Sequence, residues 1–174
     1  MLRRSLIILC AAATPVLAQA APANPNVENA RLLWENVRGY IVDAAAEVPE
    51  SMYSYRPTPD VRTFGQLIGH IAGAQHNFCA IALGEKPPAE DAVEKAATTK
   101  AALVAALKES NDHCARAYKQ TDAATKPMVD LFGQQRSRAF VLLENAAHDN
   151  EHYGNIVTYM RINKMVPPSS KPSR

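Results

Sequence analysis

An all-α fold, a four-helix bundle, is what the sequence predicts, and three observations carry that expectation. Four segments repeat apolar residues at the 3.6-residue period of an amphipathic helix. The prolines fall between those segments, not inside them. No stretch alternates apolar and polar residues over the length of a strand. With 174 residues, 47% hydrophobic and 21% charged, the chain has the composition of one globular domain, which excludes a disordered or fibrous protein.

The first helix follows from Leu32, Leu33, Val37, Tyr40, Ile41, Ala44, Ala45 and Val48, with Asn26 as its cap and Pro49 as its stop. Residues 49–62 hold three prolines and read as a loop. Thr63 followed by Gln66 matches a capping box, so a second helix opens there and runs to Leu83, with Gly84 ending it. Gly65, Gly69 and Gly73 each weaken that helix by about 1 kcal/mol relative to Ala. Spaced four apart, they would let another backbone approach on one side. After a polar connection over 84–97, a third helix is expected from about Thr98 to Lys119 on Leu103, Val104, Leu107, Cys114 and Tyr118. Residues 121–135 read as irregular. A fourth helix then runs from about Arg136 to Ile162, its core stripe read as Phe140, Leu143, Ala147, Glu151 or His152, Ile156 and Tyr159. Trp34, Tyr40, Phe64, Phe78 and Phe140 are expected in the core.

The ends carry other information. Arg3 and Arg4, the apolar run Leu6 to Ala13 and the small residues around Ala18 and Ala20 make residues 1–20 a signal peptide. The apolar run is shorter than the roughly 20 residues that span a bilayer. Residues 21–25 form a linker, 26–165 the bundle, and 166–174 a Pro/Ser-rich tail. The formal charge of +2 disappears with the signal peptide, leaving 17 basic and 17 acidic residues. Neither nucleic-acid binding nor a membrane surface is supported by that balance. Cys10 leaves with the signal peptide, so the mature chain keeps Cys79 and Cys114. In an oxidising compartment, periplasmic or extracellular, these two are a disulfide candidate.

The chemistry concentrates in His148-Asp149-Asn150-Glu151-His152. Two imidazoles four apart on a helix lie one turn above each other and can share an ion. His70 is set in an otherwise apolar run, where a lone imidazole would be costly to bury. A site of His70, His148 and His152, with positions left for water or substrate, accounts for all three. Imidazole ligands suit zinc or nickel, and iron is admissible. The same five residues fit His-x-x-Glu-His, the inverted zinc-peptidase pattern, but no acid follows Glu151 to complete it. His76 lies about 240° around the helix from His70, and His113 stands on a polar stretch; both read as surface residues. Glu144, one turn below His148, is the carboxylate on its face.

Tyr53 to Ala72 (YSYRPTPDVRTFGQLIGHIA) resembles the DinB-like (DinB/YfiT) superfamily, as does His148 to Arg161 (HDNEHYGNIVTYMR) followed by Val166-Pro-Pro-Ser. The resemblance covers about Asn26 to Ser170. It implies a four-helix bundle with a long crossover between the second and third helices, and a divalent metal held by His70, His148 and His152. Some members are thiol transferases using bacillithiol, mycothiol or glutathione, while many have no known activity. An export signal departs from the cytoplasmic pattern of that family.

Three function classes remain at this stage: an exported metal-dependent transferase or hydrolase acting on an unidentified small molecule, a metal- or ligand-binding stress-response module without turnover, and a structural bundle. A homodimer is an expected assembly. The disulfide doubles as a test of topology. In a simple hairpin of the second and third helices the two thiols would lie far apart. In a parallel pair, both cysteines stand about seventeen positions from their helix starts and are level. The 14-residue connection can reach about 46 Å, enough to travel back a helix of about 30 Å.

Overall fold

The computed structural model describes residues 23–172; the expected signal peptide lies outside the described residues. The elements are α1 (Pro25–Glu47), α2 (Phe64–Leu83), the short α3 (Ala92–Ala96), α4 (Lys100–Ala117), strands β1 (Met128–Leu131) and β2 (Gln134–Ser137), and α5 (Arg138–Ile162). Helices α1, α2, α4 and α5 form the bundle. Leu103 lies against Gly65 and Gly69 while Cys114 lies against Cys79, so α2 and α4 run parallel. Tyr159 donates to the Arg62 carbonyl and His148 meets the ring of Phe78, so α5 runs antiparallel to α2. Trp34 stacks on Tyr118 and Lys100 reaches the carbonyls of Ala46 and Val48, so α1 is antiparallel to α4. Residues 84–99 are therefore the long crossover, with α3 inside it.

Local chemistry sets the helix ends. Thr63 and Gln66 form the reciprocal capping box, and Gly84 closes α2 in the left-handed region at φ 77°. Thr99 and Ser137 cap α4 and α5 by accepting from Ala102 N and Phe140 N. Helix α1 begins two residues earlier than expected, with Asn24 and not Asn26 at the cap position and Pro25 in its first turn. Its first free N–H groups, on Asn26 and Val27, donate to the carboxylate of Asp122 at 3.1 and 2.9 Å. A side chain far along the chain thus does the work expected of a local cap.

Two buried apolar clusters flank a polar layer. One gathers Val37, Ile41, Val48, Phe64, Ile68, Leu107, Ile156 and Met160. The other gathers Trp34, Phe78, Cys79, Cys114, Tyr118, Val141 and Leu142. His70, Gln75, Ser110, Asn145, Asp149 and His152 are buried as well. They explain a mistake in the expected stripes. On α5 the buried face is Val141, Leu142, Asn145, Asp149, His152, Ile156, Tyr159 and Met160, whereas Phe140 and Leu143 are 40% and 45% exposed. The expected stripe holds at His152, Ile156 and Tyr159; it is wrong at Phe140, Leu143 and Ala147, which are exposed, because polar Asn145 and Asp149 occupy the core positions of that half. Leu32 and Leu33 on α1 are likewise exposed, while Val27, Ala30 and Trp34 face inward.

The absence of strands is also corrected. Residues 128–137 form a two-stranded antiparallel hairpin with Leu131 opposite Gln134. Phe132 and Gly133, both at positive φ (53° and 79°), make its turn. The first position is usually Asn, Asp or Gly, and Phe gives no such signal. The side chain of Asp130 supports the turn by accepting from Gly133 N.

Candidate metal centre

Helix α2 carries His70, and α5 carries His148 and His152 one turn apart. Antiparallel packing brings the three Nε2 atoms together: 3.1 Å from His70 to His148, 3.0 Å from His70 to His152, and 3.0 Å between the two on α5. These residues form a group able to hold a metal ion, the one such cluster among the described residues. Three ring nitrogens aimed at one point cannot each satisfy the others with well-aligned hydrogen bonds. An ion about 2.0 to 2.1 Å from each nitrogen satisfies all three lone pairs. The donor set therefore fits a dication.

The far ring nitrogens face polar groups. His70 Nδ1 faces the carboxylates of Glu90 and Glu94 at 3.6 and 3.9 Å. His148 Nδ1 faces Asp149 Oδ1 at 3.9 Å, and both atoms are buried without a hydrogen-bond partner. Asp149 Oδ2 accepts from Gln75 at 3.1 Å, and the Asn155 amide lies 3.4 Å from His152 Nδ1. Carboxylate or amide groups behind each imidazole are the arrangement that orients metal-binding histidines.

Burial sets the charge state. It pushes His70 down to about 4, with Arg62 and His148 adding smaller effects in the same direction. It pushes His152 down to about 3, helped by His148, His70 and Arg62. Both rings are neutral at pH 7 and keep lone pairs for an ion. Asp149, wholly buried, is pushed up to about 6, against the pull of His148 and Gln75.

Glu90 and Glu94 sit on the crossover, and the glycine stripe explains how they reach His70. A Cβ on Gly73 would overlap the Glu90 carbonyl oxygen, and one on Gly69 would stand 2.9 Å from Glu94 Cα. The crossover backbone thus lies directly on α2 because those side chains are absent. Sequence spacing indicated the close approach but not which backbone makes it. Glu144, expected on the face of His148, lines a separate hollow near the hairpin with Phe132 and Arg136, and Glu151 is exposed.

A cavity of about 700 Å³ adjoins the centre, lined by His152, Arg56, Arg62, Glu94, Asn155 and Tyr159 among others. Much of its wall is the 49–62 loop, which carried no chemical signal in the sequence. Arg62 donates from Nε to both oxygens of Glu94 at 3.2 and 3.0 Å.

A family model described as the DinB superfamily matches residues 33–156. The chain belongs to the DinB superfamily. Among solved structures, a DinB-like protein from Bacillus cereus is similar at 20% identity and TM-score 0.69, over 81% of this chain and 95% of that one. A DinB-like protein from Bacillus subtilis is similar at 19% identity and TM-score 0.66, over 86% and 100%. A mycothiol-dependent maleylpyruvate isomerase is similar at 17% identity and TM-score 0.62, over 77% of this chain and 65% of that one. These likenesses establish the DinB fold. No curated protein matches the chain significantly by sequence.

Cys79 and Cys114 lie at bonding distance with Cα atoms 5.2 Å apart. His76 and His113, read as separate surface residues, are part-buried and face each other. Among the described residues no helix is long and apolar enough to cross a membrane.

Proposed function

We propose that this DinB-superfamily chain is an exported metal-dependent protein acting on a small molecule, with His70, His148 and His152 holding one divalent ion, zinc or nickel with iron admissible. The convergence of three Nε2 atoms beside a cavity of about 700 Å³ supports this reading most directly. A bound dication supplies Lewis-acid activation of whatever ligand occupies its open positions. The chain's own contribution is orientation and proton handling. Burial keeps two imidazoles neutral. Arg56 and Arg62 present guanidinium groups along the cavity wall. Glu94, on that wall and beside His70, is the carboxylate placed to take a proton from a ligand in the cavity. One structural neighbour is named as a mycothiol-dependent isomerase, which supports small-molecule chemistry on this scaffold. Export to the periplasm or beyond rests on the N-terminal sequence and on the paired cysteines.

A second reading, a metal- or ligand-binding module without turnover, is favoured by the pairing of Glu94 with Arg62, which occupies both carboxylate oxygens. One experiment separates the two. Metal-loaded mature protein is assayed against a panel of electrophiles with and without low-molecular-weight thiols, beside Glu94→Gln and His152→Ala. Metal-dependent turnover that falls about 100-fold in Glu94→Gln while metal content is retained supports the enzyme. Metal binding without turnover on any substrate favours the module. Failure of the wild type to bind metal overturns the enzyme and the metal-binding module, and leaves of the second reading only ligand binding without a metal.

A further inference from the structure

We propose that His76 and His113 form a second metal site, separate from the first, for a borderline transition-metal dication of the zinc, nickel or copper class. The two rings come from α2 and α4 with their Nδ1 atoms 3.2 Å apart. Glu85 fixes the tautomer of one of them. Its Oε2 lies 2.9 Å from His113 Nε2, and a carboxylate only accepts, so that nitrogen carries the proton and donates it. When uncharged, the His113 ring with its proton on Nε2 presents the Nδ1 lone pair to His76. A carboxylate behind an imidazole whose other nitrogen faces a second imidazole is how histidines are prepared for a metal.

Three further observations favour a cation here. Burial lowers His76 below the ordinary imidazole range, with His113 contributing next, so its ring is held in the neutral form. The acids Glu85 and Glu109 stand near the pair, with Arg116 held 3.3 Å from Glu85 and Arg138 lining the neighbouring hollow beside Gly84 and Glu85. Cys79 lies one turn beyond His76 and Cys114 follows His113, so the cysteine pair sets the separation of the two helices at this level. The His113 side chain is 13% exposed, which leaves an ion a route in and leaves water to complete its coordination. His76 is six residues beyond His70, about 9 Å along the helix and on another face, so the two centres do not share ligands.

Equilibrium dialysis of the mature protein against Zn²⁺ alone at pH 7.5 tests the site. Two ions per chain are expected, falling to one in His76→Gln, in His113→Gln and in His152→Ala, with the weaker ion held at least tenfold less tightly in Glu85→Gln. One ion per chain, lost in His152→Ala and retained in His76→Gln, overturns the second site and leaves the first. One ion lost in His76→Gln and retained in His152→Ala supports the second site and overturns the first. Ring ¹⁵N resonances of unmutated protein guard against misfolded variants. The His76 and His113 signals are expected to move on Zn²⁺ addition; no movement at saturation overturns the proposal.

Discussion

His70 and His152 hold their neutral form because burial makes a charged imidazole costly, and that preference has a consequence for stability. Their folded values of about 4 and about 3 lie below the ordinary 6.5. As pH falls from about 6.5, the unfolded chain takes up those protons first and the native state loses ground. Asp149 acts in the opposite sense, since its folded value of about 6 lies above 3.8. Its native carboxyl is protonated first, which favours the fold between those values. Two groups outweigh one, so metal-free protein is expected to be less stable at pH 5 than at pH 7. Urea unfolding in chelator at both pH values measures this; an equal or higher midpoint at pH 5 contradicts it. At this scale the three histidines were legible because helical spacing and an imidazole within an apolar run are local signals. Glu90, Glu94 and the His76–His113 pair were not, because each depends on which elements the crossover brings together.

The glycine stripe of α2 and the borrowed cap of α1 are where elements depend on one another. Gly73→Ala gains about 1 kcal/mol of helix propensity, but its methyl group would meet the crossover backbone at Glu90. Overpacking against backbone costs about 1 to 3 kcal/mol, so a net loss is expected, along with weaker metal binding as Glu90 and Glu94 shift. Gly39→Ala in α1 meets nothing within 4 Å and is expected to gain about 0.5 to 1 kcal/mol. Thermal unfolding of the two variants should give melting temperatures displaced in opposite directions; a stabilised Gly73→Ala would show that the crossover does not press on α2. Asp122→Ala leaves the first N–H groups of α1 without their acceptor and should cost about 1 kcal/mol, read in the same melts. An unchanged melting temperature would mean water replaces that carboxylate without loss. Helix bounds were legible to within a few residues because capping box, glycine stop and prolines are written locally. The hairpin was not, since Phe132 stands where turn chemistry calls for Asn, Asp or Gly and packs edge-on against Phe78.

For the whole molecule, two apolar cores enclose a polar layer, and the parallel α2–α4 pair joins them. Cys79 and Cys114, 35 residues apart in sequence, span that pair. A disulfide closing such a loop should stabilise the fold by about 3 to 4 kcal/mol. Protein recovered from its native compartment should show no free thiol when unfolded without reductant, and a midpoint of urea unfolding that drops on reduction. Two free thiols would contradict the bridge. The long crossover was implied by the family resemblance, and the level positions of these cysteines in a parallel pair supplied a test of it that their pairing meets. The phase of α5 was legible in its second half, where His152, Ile156 and Tyr159 are buried as expected, and was lost in its first half, where the core face carries the polar Asn145 and Asp149. The central claim, that His70, His148 and His152 hold one metal ion, is tested most directly by anomalous diffraction from crystals of the mature protein grown with zinc. The expected result is a peak about 2.0 to 2.1 Å from all three Nε2 atoms, and saturating zinc with no peak between those rings would contradict it.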